Sequence, residues 1–226
     1  CNRRGALAKA AFLLVAGAVV GVPALAGSFD DFFRALKQDD VEALGRLARR
    51  GFDLNTRNEA GEPPLLVAIR ADAIRAASWL AEQSGVDLDT LNAKGENALM
   101  LAALRGQPDL LRLLVERGAE ANKPGWTPLH YAATHNGAAA AAMVELLLEH
   151  HAYIDAASPN GTTPLMMAAR YGDIRALGLL LNGGADPTLK NEQGLDALDF
   201  ARAARRRDAF ERIERAIQAW PQGPAN

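Results

Sequence analysis

The chain of 226 residues has a single cysteine, Cys1, and few aromatic side chains. One cysteine cannot form an internal disulfide or supply a multi-cysteine metal site. Aromatic residues make up 6% of the chain, which argues against one large aromatic-rich core. The formal net charge is −2, so the chain lacks the bulk positive charge of a polybasic nucleic-acid binder.

Catalytic sequence signatures are also missing. The chain has no nucleophile elbow, no phosphate-binding P-loop, no dinucleotide-binding glycine motif and no His-Glu-x-x-His zinc motif. Among the four histidines, His150 and His151 are adjacent, and neighbouring residues on a helix point about 100° apart, which makes a poor chelating pair. We therefore predict no enzyme, no metal and no cofactor. A small-molecule or metal-dependent activity is the alternative of a different class, and it would need a closed pocket.

Alanine and leucine are abundant and together form about a third of the chain. Both residues favour helix, because alanine loses no side-chain entropy there and leucine loses little. Hydrophobic residues make up 49% of the chain, which excludes wholesale disorder. The composition predicts a helical protein.

The first 26 residues have the pattern of a secretory signal peptide. Three basic residues precede an apolar run over 10–22, and a small-residue triplet ends at Ala26. We predict cleavage after Ala26 and a periplasmic or secreted mature chain, whose net charge would change from −2 to −5 because residues 1–26 carry three basic and no acidic side chains. The alternative is an uncleaved membrane anchor, although the uncharged stretch is short for a spanning helix and contains Pro23.

Glycine recurs along the remaining chain at intervals of 34, 30, 36 and 33 residues, and each copy starts a similar phrase. The phrases read GEPPLLVA, GENALMLA, GWTPLHYA, GTTPLMMA and GLDALDFA. A second phrase follows later in the period, as in LLVERGAEAN, LLLEHHAYID and LLLNGGAD. The recurring glycines are Gly61, Gly95, Gly125, Gly161 and Gly194.

A period near 33 residues with the phrase TPLHYA at 127–132 resembles the ankyrin repeat, over about residues 29–217. The resemblance implies an all-α solenoid of about six repeats, each a helix, a turn, a second helix and a protruding turn. It also implies that His130 bonds the neighbouring turn. Independently of the resemblance, Thr127 can cap a helix that Pro128 starts, and Gly118 suits the end of a second helix, as do Gly85 and Gly184.

The predicted repeat domain spans residues 27–220, followed by a flexible tail at 221–226. The fourth repeat departs from the others, because Gly125 follows Asn122 by three positions where neighbouring repeats have a spacing of six. We expect a stunted turn there. About three extra, alanine-rich residues before Met143 predict a longer second helix. The six predicted repeats cover about 29–57, 58–91, 92–123, 124–157, 158–190 and 191–218.

Partner-binding residues are expected on the inner face, at the protruding turns and at the ends of the first helices, as the resemblance implies. Tryptophan, tyrosine and arginine dominate interface hot spots, so Trp126 beside the stunted turn is the first candidate. Trp126 could instead fold back over the gap that the short turn leaves, and the arginines could be ordinary solvated charge. An arginine-rich inner face would favour an acidic protein surface. The other candidates are Arg70, Arg105, His135, Arg170 and Tyr171.

The sequence thus predicts an exported scaffold, expected to be a monomer without a stable membrane anchor, that binds another protein in the periplasm. Two kinds of partner stay open. One is an envelope enzyme that the scaffold stabilises or regulates, and the other is a toxin that it neutralises as an immunity protein. Both rest on analogy between folds and not on a site.

Overall fold

The structure, a computed structural model, describes the backbone of residues 23–220 and the side chains from Gly27 onward. Residues 1–22, with most of the predicted signal peptide, and residues 221–226, the predicted tail, lie outside the described residues. The first helix begins at Pro23, so the predicted cleavage point after Ala26 falls at its start. That cleavage and the boundaries between repeats stay predictions.

Twelve helices and no strand make up the regular structure of residues 23–220. Most are seven to eleven residues long, too short to be stable alone, so packing between them must stabilise the fold. They are α1 (Pro23–Lys37), α2 (Val41–Arg49), α3 (Pro64–Arg70), α4 (Ile74–Glu82), α5 (Ala98–Arg105), α6 (Pro108–Glu116), α7 (Pro128–Thr134), α8 (Ala139–Glu149), α9 (Pro164–Arg170), α10 (Ile174–Asn182), α11 (Ala197–Ala203) and α12 (Arg207–Ala219).

The helices pair in chain order and stack into two layers. Odd-numbered helices contact one another along an inner layer, and even-numbered helices contact one another along an outer layer. Inner helices approach closely because alanine recurs at their centres, as at Ala102, Ala132 and Ala168, all fully buried. Leucines such as Leu80, Leu111 and Leu147 fill the space between layers, each contributing about 2 kcal/mol by burial. The predicted all-α solenoid of helical repeats is confirmed.

Helix ends follow the sequence rules. Thr127 lies at the N-cap of α7 and Thr163 at that of α9, each in a capping box, and proline follows in both cases. Gly118 and Gly184 have a φ of +92°, which confirms their prediction as helix-terminating glycines. In the fourth repeat the equivalent residue is His151, which adopts a φ of +60° at a steric cost that glycine avoids.

A ladder of side-chain hydrogen bonds connects successive repeats along one edge of the stack. At the first four junctions between repeats, an asparagine or aspartate oxygen accepts the backbone N–H of a residue 31 or 32 positions later. The pairs are Asn55 with Asp87 (3.0 Å), Asp89 with Glu120 (2.9 Å), Asn122 with Tyr153 (2.8 Å) and Asp155 with Asp186 (3.1 Å). We call these four acceptors the Asx ladder.

The two predicted departures of the fourth repeat are confirmed. Four protruding turns contain a backbone bond from residue i to the carbonyl of residue i+4, and in the described chain the turn before α7 lacks it. Helix α8 has 11 residues, whereas α4, α6 and α10 have nine. The extension is two residues, because Gly137 and Ala138 precede the helix as part of a turn. The bonded turns run from Asn58 to Glu62, Asn92 to Glu96, Ser158 to Thr162 and Asn191 to Leu195.

Candidate functional site

The ends of the inner helices form an exposed row on the inner face. Arg70, Leu104 and Arg170 occupy equivalent positions in three repeats, and all are exposed. Arg70 forms an ion pair with Glu62 (2.6 Å), so part of its charge is already compensated. The Arg170 guanidinium lies 5.2 Å from the centre of the Tyr171 ring, which is 46% exposed. Two predicted residues therefore form one cation–π unit.

Arg105 also belongs to this row, and its guanidinium donates to the backbone carbonyl of Arg70. Arg105 thereby tethers the end of α5 to the preceding repeat. Neither Arg105 nor Arg170 pairs with a carboxylate within the part of the chain that the structure describes. Both charges are therefore available to a partner.

Trp126 lies in the stunted turn before α7 and is partly buried. Its ring packs edge-on against His130, with 5.1 Å between ring centres. The backbone carbonyls of Trp126 and Pro124 accept hydrogen bonds from Lys123 Nζ (3.1 and 3.2 Å). The indole is folded back onto the repeat, as one of the two predicted alternatives had it, yet one side of it still faces the inner surface.

An apolar hollow of about 210 Å³ opens beside the Trp126 ring. It lies on the inner face, next to the short turn that precedes α7. Three consecutive repeats contribute to it. The hollow is lined by Leu104, Trp126, His130, Tyr131, Thr134 and Met167.

The hydroxyl groups in the wall of the hollow are already hydrogen-bonded. The Tyr131 hydroxyl donates to Glu96 (3.1 Å), and the Thr134 hydroxyl donates to the carbonyl of His130 (2.7 Å). Burial, followed by the neighbouring Glu96 charge, raises the pKa of Tyr131 to about 12. The wall therefore presents a mostly apolar surface, and the Trp126 indole N–H is its one side-chain donor without a hydrogen-bond partner among the described residues.

His130 confirms the role that the resemblance implied. Its Nδ1 accepts the backbone N–H of Thr127 (3.2 Å), which leaves Nε2 to donate to the carbonyl of Thr162 in the next turn (2.9 Å). The side chain is fully buried, and this burial lowers the pKa of His130. With both nitrogens occupied, His130 is a structural connection between repeats and is unsuited to proton transfer.

His135 occupies the C-cap of α7 at the junction of three repeats. Its ring lies directly against Gly106, where even a methyl group would collide with the imidazole. Its carbonyl accepts the N–H of Asp173 (3.2 Å). Among the predicted site residues, His135 is thus placed mainly to join repeats.

Tyr131 and Met167 line the hollow although the sequence pattern did not single them out. A signal for both existed in the repeat register. Tyr131 and Met167 are the fourth residues of their helices, where Val67 and Leu101 stand in earlier repeats. A tyrosine and an unbranched methionine in place of branched aliphatic side chains indicate a local change of the inner surface.

Within residues 23–220, no three histidine, cysteine or carboxylate side chains are grouped so that they could hold a metal ion. In the same range, no helix combines the length and the apolarity that crossing a bilayer requires.

Comparison with known families gives a match over most of the described chain. The family model described as ankyrin repeats, in three copies, matches residues 32–124 and 120–191. Among curated proteins, the chain is 36% identical over 157 residues to the nuclear factor NF-kappa-B p105 subunit of Mus musculus, covering 67% of this chain and 16% of that protein. It is 33% identical over 162 residues to SH3 and multiple ankyrin repeat domains protein 2 of Homo sapiens, covering 70% of this chain and 9% of that one.

The chain therefore spans about a sixth or less of the length of these curated relatives. Two solved structures match nearly their whole length. One is a chain from the complex of the predatory endopeptidase Bd0816 of Bdellovibrio bacteriovorus with the immunity protein Bd3460, with a TM-score of 0.70, 29% identity, and coverage of 82% of this chain and 97% of that chain. The other is an ankyrin repeat domain from Acinetobacter baumannii, with a TM-score of 0.71, 26% identity and the same coverages.

Proposed function

The chain belongs to the ankyrin-repeat family, whose repeats bind other proteins, and from this premise we propose that its inner face binds and regulates an enzyme of the cell envelope. The hollow beside Trp126 carries the proposal. It is an exposed, mostly apolar surface on the inner face, and its hydroxyl and imidazole groups already have hydrogen-bond partners. Such a surface gains free energy by excluding water against a protein.

The proposed regulation of the enzyme has two versions, and one observation favours the second. A scaffold could stabilise the enzyme, or it could inhibit the enzyme as an immunity protein. The structural similarity to a chain of the complex between an endopeptidase and its immunity protein supports the inhibitory version, with an endopeptidase as the enzyme. At 29% identity this similarity supports a kind of partner and not a particular one.

Location in the periplasm, or outside the cell, is part of the same proposal. The signal-like pattern of residues 1–26 supports it. Among the described side chains of α1, the first buried ones are Phe32 and Phe33, and removal of residues 1–26 would leave both in place. Mass spectrometry of the exported protein should find an N-terminus at Gly27, and a full-length membrane-bound product would contradict the cleavage.

The test uses an envelope endopeptidase of the organism that encodes this chain, chosen by gene neighbourhood. Both proteins are purified, and the enzyme's peptide-bond hydrolysis and thermal stability are measured with increasing amounts of the scaffold. The inhibitory version predicts loss of hydrolysis at a one-to-one ratio. The stabilising version predicts retained hydrolysis and a higher Tm of the enzyme, and absence of a complex would refute both versions.

The binding face is tested with paired variants of exposed side chains. Leu104→Glu and Tyr171→Ala change the inner face, whereas Leu91→Glu and Tyr153→Ala change leucine and tyrosine side chains that are 41% and 69% exposed and do not line the hollow. We expect the first pair to weaken the complex at least tenfold and the second pair to leave it unchanged. Equal binding by all four variants would place the interface elsewhere.

A further inference from the structure

We propose that the hollow beside Trp126 binds one bulky apolar side chain of the partner, carried on an acidic loop with carboxylates next to it. This inference rests on the proposed function and specifies the chemistry that the partner must present. Three properties of the site lead to it: the size of the hollow, the state of its wall and the charges on its rim.

The size of the hollow selects a single side chain. Its volume of about 210 Å³ lies below the roughly 300–1,000 Å³ of pockets that hold small-molecule ligands. It is also open to solvent along the inner face, as a docking point for a protein loop must be. An aromatic or large aliphatic side chain is an occupant of suitable size, whereas alanine would leave most of the hollow empty.

The wall of the hollow selects an apolar occupant. The hydroxyls of Tyr131 and Thr134 and both ring nitrogens of His130 already have hydrogen-bond partners. A hydrogen-bond donor placed there would lose its water without gaining a partner, at a cost of about 1–3 kcal/mol, and an acceptor would find only the Trp126 indole N–H. Leu104, Trp126 and Met167 supply the remaining wall, and an apolar side chain would gain free energy by covering them.

The rim of the hollow selects carboxylates beside that side chain. Arg105 follows Leu104 in sequence, and Arg170 lies one helical turn after Met167, so both arginines stand at the helix-end side of the hollow. Neither has a carboxylate partner among the described residues. On the turn side, Glu96 is held by Asn92 (2.8 Å) and Tyr131, which keeps its charge in place. An acidic loop lying toward the helix ends would meet two uncompensated cations.

The fourth repeat combines a short turn with a tryptophan at the edge of this site. In the next repeat, the turn from Ser158 to Thr162 is closed by backbone hydrogen bonds. The described residues before α7 form no such turn, and Trp126 stands at the register position that Thr162 occupies in the fifth repeat.

Three short blocked peptides provide the probes: Gly-Asp-Phe-Glu-Gly, its uncharged counterpart Gly-Asn-Phe-Gln-Gly, and Gly-Asp-Ala-Glu-Gly. Binding is followed by NMR of the methionine methyl groups, since Met167 alone of the four methionines is not buried. Its signal is assigned with Met167→Leu. We expect the acidic phenylalanine peptide to shift the Met167 methyl with a Kd of about 1 mM, and the uncharged peptide to bind several-fold more weakly. The alanine peptide should produce no shift.

Charge variants complete the test. Arg105→Gln and Arg170→Gln should reduce binding of the acidic peptide to the level of the uncharged one, whereas Arg112→Gln, on the outer helix α6, should have no effect.

Three outcomes would each overturn the inference. They are equal binding of the alanine and phenylalanine peptides, equal binding of the acidic and uncharged peptides, and no Met167 shift with any peptide. If Leu104→Glu weakens the enzyme complex while no peptide binds, the proposed function stands and the inference about the hollow fails. If peptides bind and no enzyme complex forms, the inference about the chemistry of the hollow stands and the proposed function fails.

Discussion

The fourth and fifth repeats begin alike and differ in the turn that precedes them. Helices α7 and α9 both start with Thr-Pro-Leu, and both are capped by that threonine. In the fifth repeat, backbone atoms close the turn between Ser158 and Thr162. In the fourth repeat, the side chain of Lys123 binds the carbonyls of Pro124 and Trp126 instead. A single lysine thus stabilises a turn that is three residues shorter.

A repeat protein can therefore obtain a distinct site without a distinct fold. The hollow lies beside the turn that is three residues shorter, and Trp126 and Tyr131 form part of its wall. The helix cap and the stacking of helices remain intact, because neither depends on the tip of the turn. Four changes to the chain test which contacts the two repeats share and which contacts distinguish them. They are ordered from the largest expected change in stability to the smallest.

The largest effect is expected where the two repeats touch. A Cβ on Gly172 would collide with the backbone carbonyl of Ala133 in the fourth repeat and would lie 2.9 Å from Ala168 Cα. Backbone cannot move aside cheaply, so Gly172→Ala should lower the free energy of unfolding by about 3 kcal/mol or more. Urea denaturation followed by circular dichroism measures the change.

Gly45→Ala is the matched control for that change. Its new Cβ would lie 3.3 Å from the flexible end of Arg49, and alanine is the better helix former inside α2. We expect the control to be neutral or to stabilise the protein by about 0.5–1 kcal/mol. Comparable losses in both variants would mean that the contact with Ala133 is unimportant.

The second effect concerns the buried histidine of the fourth repeat, whose counterpart in the fifth is Met166. His130→Met removes the hydrogen bond to Thr162 and should cost about 1–3 kcal/mol near neutral pH. Because burial lowers the pKa of His130, the unfolded chain binds this proton more readily than the folded chain. The contribution of His130 is therefore complete above the ordinary histidine pKa of about 6.5 and is lost as the pH falls below it.

Thermal unfolding between pH 7.5 and 5 measures this dependence. We expect the parent chain to lose stability over that interval and His130→Met to lose less. The exposed His150 serves as control through His150→Gln, which should follow the parent curve. Parallel curves for parent and His130→Met would show that His130 does not cause the pH dependence.

A third, smaller effect should follow when the short turn is restored. Replacing Lys123 and Pro124 by the five residues of 156–160 recreates the spacing of the fifth repeat. Two backbone hydrogen bonds would form, and stability should rise by about 1 kcal/mol, or roughly 2–4 °C in Tm. Binding of the phenylalanine peptide should disappear because the new turn stands over the hollow. If a folded variant bound the peptide as well as the parent chain does, binding in the hollow would not depend on the length of the turn.

The smallest effect is expected in the Asx ladder. Asn122 both accepts from Tyr153 and donates to the carbonyl of His151 (2.8 Å), whereas Asp155 can only accept. Burial, followed by repulsion from Asp186, raises the pKa of Asp155 even though its bond to the Asp186 N–H opposes the shift. Asp155→Asn should therefore stabilise the protein by about 0.5–1 kcal/mol through a new bond to the Gly184 carbonyl.

The sign of the pH effect checks this interpretation. A raised carboxyl pKa means that the folded state prefers the protonated form, so the penalty at Asp155 appears as the pH rises through that pKa. The gain from Asp155→Asn should thus be present at pH 7 and shrink at pH 3 to 4. A gain that grows with falling pH would exclude desolvation of the carboxylate as its cause.

Much of the fold could be predicted from the sequence because its determinants are local. The cap at Thr127, the helix-ending Gly118 and the missing residues before Gly125 each depend on a few neighbouring positions. Repetition made these local signals reliable, since the same phrase returned at the same interval. The bond from His130 to the next turn was implied by the resemblance and is present in the structure.

The candidate site was predicted only in part because it depends on contacts between repeats. Trp126 was identified, but its packing against His130 depends on side-chain orientation, which spacing does not determine. Tyr131 and Met167 meet across two helices, and only their distance in space makes them one surface. His135 resembled a surface residue in sequence, yet the stacking of repeats places its ring against Gly106.

The Asx ladder has a consequence for how this chain can change over evolutionary time. One of its acceptors, Asn122, lies near the end of the third repeat and precedes the point at which three residues are missing, and its bond to Tyr153 is as short as those of the other members. The ladder therefore holds successive repeats together independently of the length of the protruding turns, which can lose or gain residues. New binding specificity can arise in the turn of one repeat without any change in the remaining five.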